Sequence, residues 1–277
     1  MNSHRTRRPI LMGVLNVTPD SFSDGGRFLD PRAAVARAAE MTRKGADIID
    51  IGAESTRPGS DRVPPGEQID RLREVLPAAA GEAVVSIDTT RAQVARFALD
   101  AGARMVNDVS AGRDDPEMFP LLSAREVPVI LMHMLGGPKT MQVEPQYEDV
   151  VSEVRSFLAE RLAAAGRAGI GPQRCILDPG IGFGKRLEHN LALLRGVGTL
   201  LELGCPVLVG PSRKRFIGEL TGQTDPTRRL GGTVAACLAA WRRGATIFRV
   251  HDVGELFGAL TVAAAVENAG FGENSPP

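Results

Sequence analysis

The chain alternates short apolar runs with longer stretches whose apolar residues recur every three or four positions, and it does so eight times. The short runs read as buried strands at Ile10 to Leu15, Asp47 to Ile51, Ala83 to Ile87, Arg104 to Val106, Val127 to Met132, Arg174 to Leu177, Pro206 to Val209 and Ala245 to Val250. The stretches between them read as helices. The first opens at Pro31 behind Asp30 as cap and runs to Lys44 and Gly45. Ile69, Leu72 and Leu76 share a face of the second, and Val94, Phe97, Ala98 and Ala101 stripe the third. Met118, Leu121 and Leu122 mark the fourth; Val150, Val154, Phe157 and Leu158 mark the fifth. The sixth runs from about His189 to Leu203, Val234, Leu238 and Trp241 stripe the seventh, and an eighth closes the chain. Strands that alternate with helices must pair in parallel, and eight such pairs argue for a single α/β domain, a (β/α)8 TIM barrel, rather than an open sheet. The barrel is expected over 10–270, between a flexible segment at 1–9 and a flexible tail at 271–277.

Composition narrows the ligand more than the fold. At 277 residues with 43% hydrophobic content the chain suits one large barrel or two ordinary domains, so the alternation has to decide. Lys plus Arg equals Asp plus Glu at 33 each, so no overall field attracts nucleic acid or anionic lipid, and anion binding must come from locally placed arginines. An aromatic content of 4% is too low for stacking platforms along a nucleic-acid strand. Cys175, Cys205 and Cys237 lack CxxC spacing and read as reduced thiols in or near a cytoplasmic core. Arg5, Arg7 and Arg8 precede an apolar run broken by Asn16 and Thr18 and without a cleavage-like small-residue site, which reads as a frayed end rather than a signal peptide, and no run approaches the ~18 residues of a membrane span.

The polar residues that close the strands carry the chemistry. Asn16, Asp88, Asn107, Asp178, Ser212, Lys214, Arg249 and His251 all lie at strand ends, which a barrel gathers at one mouth. Taken singly each has a plainer use: a strand-closing Asp can cap the next helix, with Thr89 or Thr90 as rivals at Asp88, and Arg213 and Lys214 can open a helical turn. Taken together they form two sets. Asp88, Asn107, Asp178 and Lys214 suit the edge of a flat nitrogen heterocycle, because carboxylates accept from ring N–H and amino groups. Arg57, Arg249, His251 and Asn16 suit a phosphate or diphosphate, and the Asn16 amide oxygen suits one position on Mg²⁺. GIGFG lacks the spacing of a phosphate loop; its Phe183 fits either a cover for a flat ring or a packed anchor. The His residues show no paired zinc spacing.

MGVLNVTPDSFSDGG, IGAESTRPG, SIDT, VNDVSA, LDPGIGFGK, GPSRKRFIG and RVHDV follow one another in this order, and in them the chain resembles the bacterial dihydropteroate synthases over nearly its whole length. The resemblance implies condensation of 6-hydroxymethyl-7,8-dihydropterin diphosphate with para-aminobenzoate, giving 7,8-dihydropteroate and diphosphate in folate biosynthesis, with Mg²⁺ as cofactor. It implies that Asp88, Asn107, Asp178 and Lys214 hold the pterin in a slot lined by Ile130 and Met132. Asn16, Arg57, Arg249 and His251 would hold the diphosphate, Asn16 through Mg²⁺. Loops bearing Phe22 and Asp24, and Thr56, Arg57 and Pro58, would close over the site, and Phe183, Ser212 and Lys214 would frame the aminobenzoate. Asp24, Arg57, Asp88, Lys214, Arg249 and His251 form the implied catalytic set, and the family habit implies a homodimer and a sulfonamide target. A pterin-dependent methyltransferase domain on the same barrel would need no Arg57 or SRK motif; a non-catalytic pterin-binding paralogue is the other alternative.

Overall fold

A computed structural model describes residues 8–18, 31–55, 59–137, 140–142 and 144–269. Eight parallel strands run β1 (Ile10–Asn16), β2 (Ile48–Gly52), β3 (Val85–Asp88), β4 (Met105–Asp108), β5 (Val129–Met132), β6 (Cys175–Asp178), β7 (Leu208–Val209) and β8 (Ile247–Val250). They pair in the order β6-β5-β4-β3-β2-β1-β8-β7, and a parallel bridge between Leu177 and Val207, with Leu177 N–H on Pro206 O at 2.9 Å, closes β6 onto β7. The expected TIM barrel is the fold.

Helices cover the outside: α1 (Pro31–Arg43), α2 (Pro65–Leu72), α3 (Val75–Glu82), α4 (Ala92–Asp100), α5 (Met118–Arg125), α6 (Val150–Arg167), α7 (Leu187–Arg195), α8 (Val197–Leu201), α9 (Arg215–Thr221), α10 (Leu230–Trp241) and α11 (Val253–Asn268). Alternation along each strand sends one set of side chains outward and the other inward. Leu11, Ile49, Ile87, Val106, Leu131, Leu177 and Phe248 pack outward with helix residues such as Ala38, Val94, Leu158 and Leu256 in one continuous core. Met12, Met105, Ile130, Leu208 and Ile247 form a separate cluster that fills the lower barrel. That plug makes the interior solid below and leaves only the upper end for a site.

Five strands, β1, β2, β3, β4 and β6, end later than their apolar runs. Asn16, Asp88, Asn107, Asp108 and Asp178 lie inside the strands, because register pairing continues through them: Asn16 with Gly52, Gly52 with Asp88, Asp88 with Asn107, Met132 with Asp178. A buried parallel strand does not need apolar residues at its top, only ladder partners. The expected second helix divides into α2 and α3, since Pro77 cannot donate to the Arg73 carbonyl one turn earlier. The expected sixth divides at Gly196, which closes against Val151. A short extra helix, α9, follows Lys214 directly, so the helical turn expected beside the SRK motif is there as well.

Asp30 lies outside the described residues, as do 1–7 and 270–277. Arg8 pairs with Asp47 at 2.7 Å and lies 4.8 Å over the Phe257 ring. All three cysteines are buried thiols. Among the described residues no helix is long and apolar enough to cross a membrane.

Candidate active site

Directly above the plug, a guanidinium lies between two carboxylates. Arg249, the inward residue of β8 near its end, reaches across the barrel with Nε 2.6 Å from Asp50 Oδ2 and Nη2 2.7 Å from Asp88 Oδ2. Asn107 donates from Nδ2 to the same Asp50 oxygen at 3.0 Å. All four residues occupy inward register positions on β2, β3, β4 and β8, and Asp50 is wholly buried. Burial pushes the Asp88 carboxyl up to about 7 against the pull of Arg249, and the neighbouring charges of Asp50, Asp108 and Glu54 push the same way as burial. Burial works against the Arg249 charge, but Asp50 and Asp88 outweigh it and hold the guanidinium protonated.

The polar groups here are not all satisfied. Among the described residues Asp50 Oδ1, Ser86 Oγ and Asp88 Oδ1 are buried without a hydrogen-bond partner. A buried acceptor left unpaired costs about 1–3 kcal/mol, so the floor is built to receive N–H donors from something else. Asp88 does not cap the next helix: Asp115 Oδ2 accepts from Ala92 N–H at the start of α4, at 2.8 Å, and Thr89 Oγ1 accepts from Arg91 N–H at 3.2 Å.

The opposite wall is a glycine loop wedged between neighbours. After Asp178, whose Oδ1 accepts from Gly180 N–H at 2.7 Å, the chain reads PGIGFGK with Gly180 and Gly184 at φ 67° and 65°. A Cβ on Gly180 would stand 1.9 Å from the His133 carbonyl, and one on Gly184 would stand 2.7 Å from Leu135 Cβ, so only glycine permits this fit. The wedge presents Phe183 to the mouth, with Lys214 Nζ 4.0 Å from its ring centroid and donating to the Ile181 carbonyl. Burial brings Lys214 down to about 7, resisted by the charge of Asp178 and aided by that of Arg249. Burial also pushes Asp178 up, offset by the Gly180 N–H and Lys214. Ser212 accepts from His251 N–H at 3.2 Å and meets its Nδ1 at 3.1 Å, which joins the ends of β7 and β8.

These walls frame a small pocket open at the barrel mouth, lined by Asp88, Asn107, Met132, Asp178, Phe183, Ser212, Lys214, Arg249 and His251 among others. Asn16 is not among the lining residues; its Oδ1 lies beside Gly52, where a Cβ would be 3.8 Å from it and 3.4 Å from Asp88 Cβ. Ile130 is not in the slot: it stands one inward step below Met132, inside the plug. Phe22, Asp24, Thr56, Arg57 and Pro58 lie outside the described residues.

Two residues of this neighbourhood escaped the sequence reading. Asp50 sits mid-strand in IIDIG rather than at a strand end; its signal was a charge at an inward position of an apolar run. Lys185 closes the glycine loop and is buried, with Nζ 3.0 Å from His133 Nδ1. Burial, aided by the charges of Lys185 and Arg113, lowers His133 to about 3, which leaves that ring neutral.

Residues 12–251 match the family model described as pterin binding enzyme. The chain is 47% identical over 262 residues to a dihydropteroate synthase of Synechocystis, covering 94% of this chain and 91% of that one. Its fold is similar to that of Xanthomonas albilineans dihydropteroate synthase solved with 4-aminobenzoic acid, with a TM-score of 0.88 and 48% identity over 94% of this chain and 93% of that one. The same enzyme in complex with 7,8-dihydropteroate gives 0.84 at 46% identity, covering 94% of each chain.

Proposed function

The chain belongs to the pterin-binding enzyme family, and from that premise we infer that it is a dihydropteroate synthase, a transferase that joins 6-hydroxymethyl-7,8-dihydropterin diphosphate to para-aminobenzoate and releases diphosphate. The observation that carries this reading is the unpartnered, buried Asp88 Oδ1 on a pocket that also holds Asn107, Asp178 and Lys214. A pterin brings the ring N–H and amino donors which that floor lacks, and Lys214 meets its carbonyl oxygen.

Asn16, Arg57, Arg249 and His251 would hold the diphosphate, and their charge-assisted bonds favour the leaving group over the bound ester. As the C–O bond breaks, its electron pair leaves with the diphosphate, and the electron-rich pterin spreads the resulting cation. The carboxylates of Asp88 and Asp178, with Asp24 from the first loop, stabilise that charge. The aminobenzoate nitrogen, framed by Phe183, Ser212, Lys214, Phe22, Thr56 and Pro58, then forms the C–N bond and loses a proton to solvent.

Asn16 would hold Mg²⁺ through its amide oxygen. Among the described residues no group of three or more His, Cys, Asp or Glu could hold a metal ion, so the oxygen donor this chain would offer Mg²⁺ is the Asn16 amide. Bound there, the ion supplies charge neutralisation on the leaving group. An apolar groove lined by Leu191, Leu194, Phe216, Ile217, Leu220 and Ala236 supports a homodimer, and three reduced, buried thiols support a cytoplasmic location.

The test is product formation by purified protein given pterin diphosphate, Mg²⁺ and para-aminobenzoate. One diphosphate per dihydropteroate supports the assignment. Tight pterin binding with no turnover favours the non-catalytic paralogue instead.

A further inference from the structure

Lys185 is 4% exposed; burial lowers its ammonium pKa against the pull of the nearby Asp178 charge, and among the described residues no carboxylate lies within ion-pair distance of it. Its contacts are 2.9 Å to the Phe183 carbonyl, 3.0 Å to His133 Nδ1 and 3.4 Å to the His133 carbonyl. A cation is costly to bury, and this one is spent on tying the loop after β6 to the loop after β5. Tyr147, whose hydroxyl donates to the Gly184 carbonyl at 2.8 Å, and Gln142, whose Nε2 donates to the Gly182 carbonyl at 2.8 Å, hold the neighbouring loop carbonyls from the same side. Lys185 alone among the three grips Phe183 itself.

We propose that Lys185 is a positioning residue for the second substrate: by fastening the Phe183 backbone to His133 it fixes the Phe183 ring against Lys214 at the height the aminobenzoate ring requires. The inference rests on the dihydropteroate synthase reading. It separates Lys185 from Lys214, which touches the pocket directly, and it assigns to the last residue of GIGFGK a role in choosing the amine and not the pterin.

Steady-state kinetics of Lys185→Met, Phe183→Ala and the double variant test it. Methionine keeps the length and removes the donors. The expected result is a rise of about tenfold in KM for para-aminobenzoate, with KM for the pterin diphosphate within about twofold of wild type. The double variant should match Phe183→Ala alone, because both changes act through one ring. Equal rises in both KM values, or additive effects, would overturn the proposal. Should Lys185→Met fail to fold, Lys185→Gln retains two N–H donors and should show the same selectivity at smaller amplitude; an unselective Lys185→Gln overturns it. If wild type makes no dihydropteroate, the parent reading fails by itself. Lys185 is then judged by amide exchange: faster exchange in 180–186 with 215–221 unchanged supports the anchoring role, and unchanged exchange in both refutes it.

Discussion

On β8, Ile247 points into the lower barrel among Met12, Met105 and Leu208, while Arg249, one inward step higher, lies between Asp50 and Asp88. The same step separates Met105 from Asn107 on β4 and Ile176 from Asp178 on β6. Two residues of strand, roughly 7 Å, divide an apolar plug from a buried polar floor with unpaired acceptors. One backbone geometry serves both layers. The lower layer makes the barrel stable without regard to chemistry, and the upper layer carries charges the fold does not need, which is where a site departs from good packing.

Breaking the upper layer at its centre gives the largest effect. Arg249→Ala leaves Asp50 and Asp88 as facing buried carboxylates, and it should lower kcat/KM by roughly 10³-fold. Urea denaturation should register a loss of about 3–5 kcal/mol. Ile130→Ala in the plug should cost about 2–5 kcal/mol on the same urea curve while pterin affinity stays within about twofold; a parallel loss of affinity would dissolve the boundary between the layers. Asp178→Asn should weaken pterin binding on the order of 10- to 100-fold by calorimetry, with stability unchanged or raised, because burial already disfavours that carboxylate.

The smallest expected effect is on pH dependence. Asp88 must be ionised and Lys214 charged to hold a pterin, and both titrate at about 7. Affinity should therefore peak near pH 7 and fall about threefold at one unit to either side; a monotonic profile between pH 6 and 8 would contradict this. For the unliganded protein the Asp88 contribution runs one way. Its folded pKa lies above the unfolded value of 3.8, so the folded state holds the proton more tightly and that stability is lost as pH rises from about 4 through 7. Asp88→Asn should flatten the slope in that window, read by denaturation midpoints across the range.

The outward-facing half of the barrel was legible because it obeys one rule, apolar on every second strand position and every third or fourth helix position, and Ile49, Val94 and Leu158 are buried as that rule requires. The strand tops were legible as residues but not as strand: Asp88 and Asp178 look like loop starts until ladder pairing is seen to run through them. Asp50 was hidden because only pairing across the barrel, with Arg249 199 residues away, gives a carboxylate inside an apolar run its meaning. Ile130 and Met132 share an inward face, and sequence alone does not say which of two alternate residues stands above the plug. The division between α2 and α3 has a sequence signal in Pro77, which the stripe of Ile69, Leu72 and Leu76 hides because it runs on across the break.

Ligand recognition belongs to the upper layer alone. Titration calorimetry of 6-hydroxymethylpterin into wild type, Asp178→Asn and Ile130→Ala, each first shown to be folded, tests it most directly. Wild type and Ile130→Ala should bind with nearly equal Kd, and Asp178→Asn should bind at least about tenfold more weakly. Equal weakening in both variants would show that the plug and the floor act as one unit, and the layered account would be wrong.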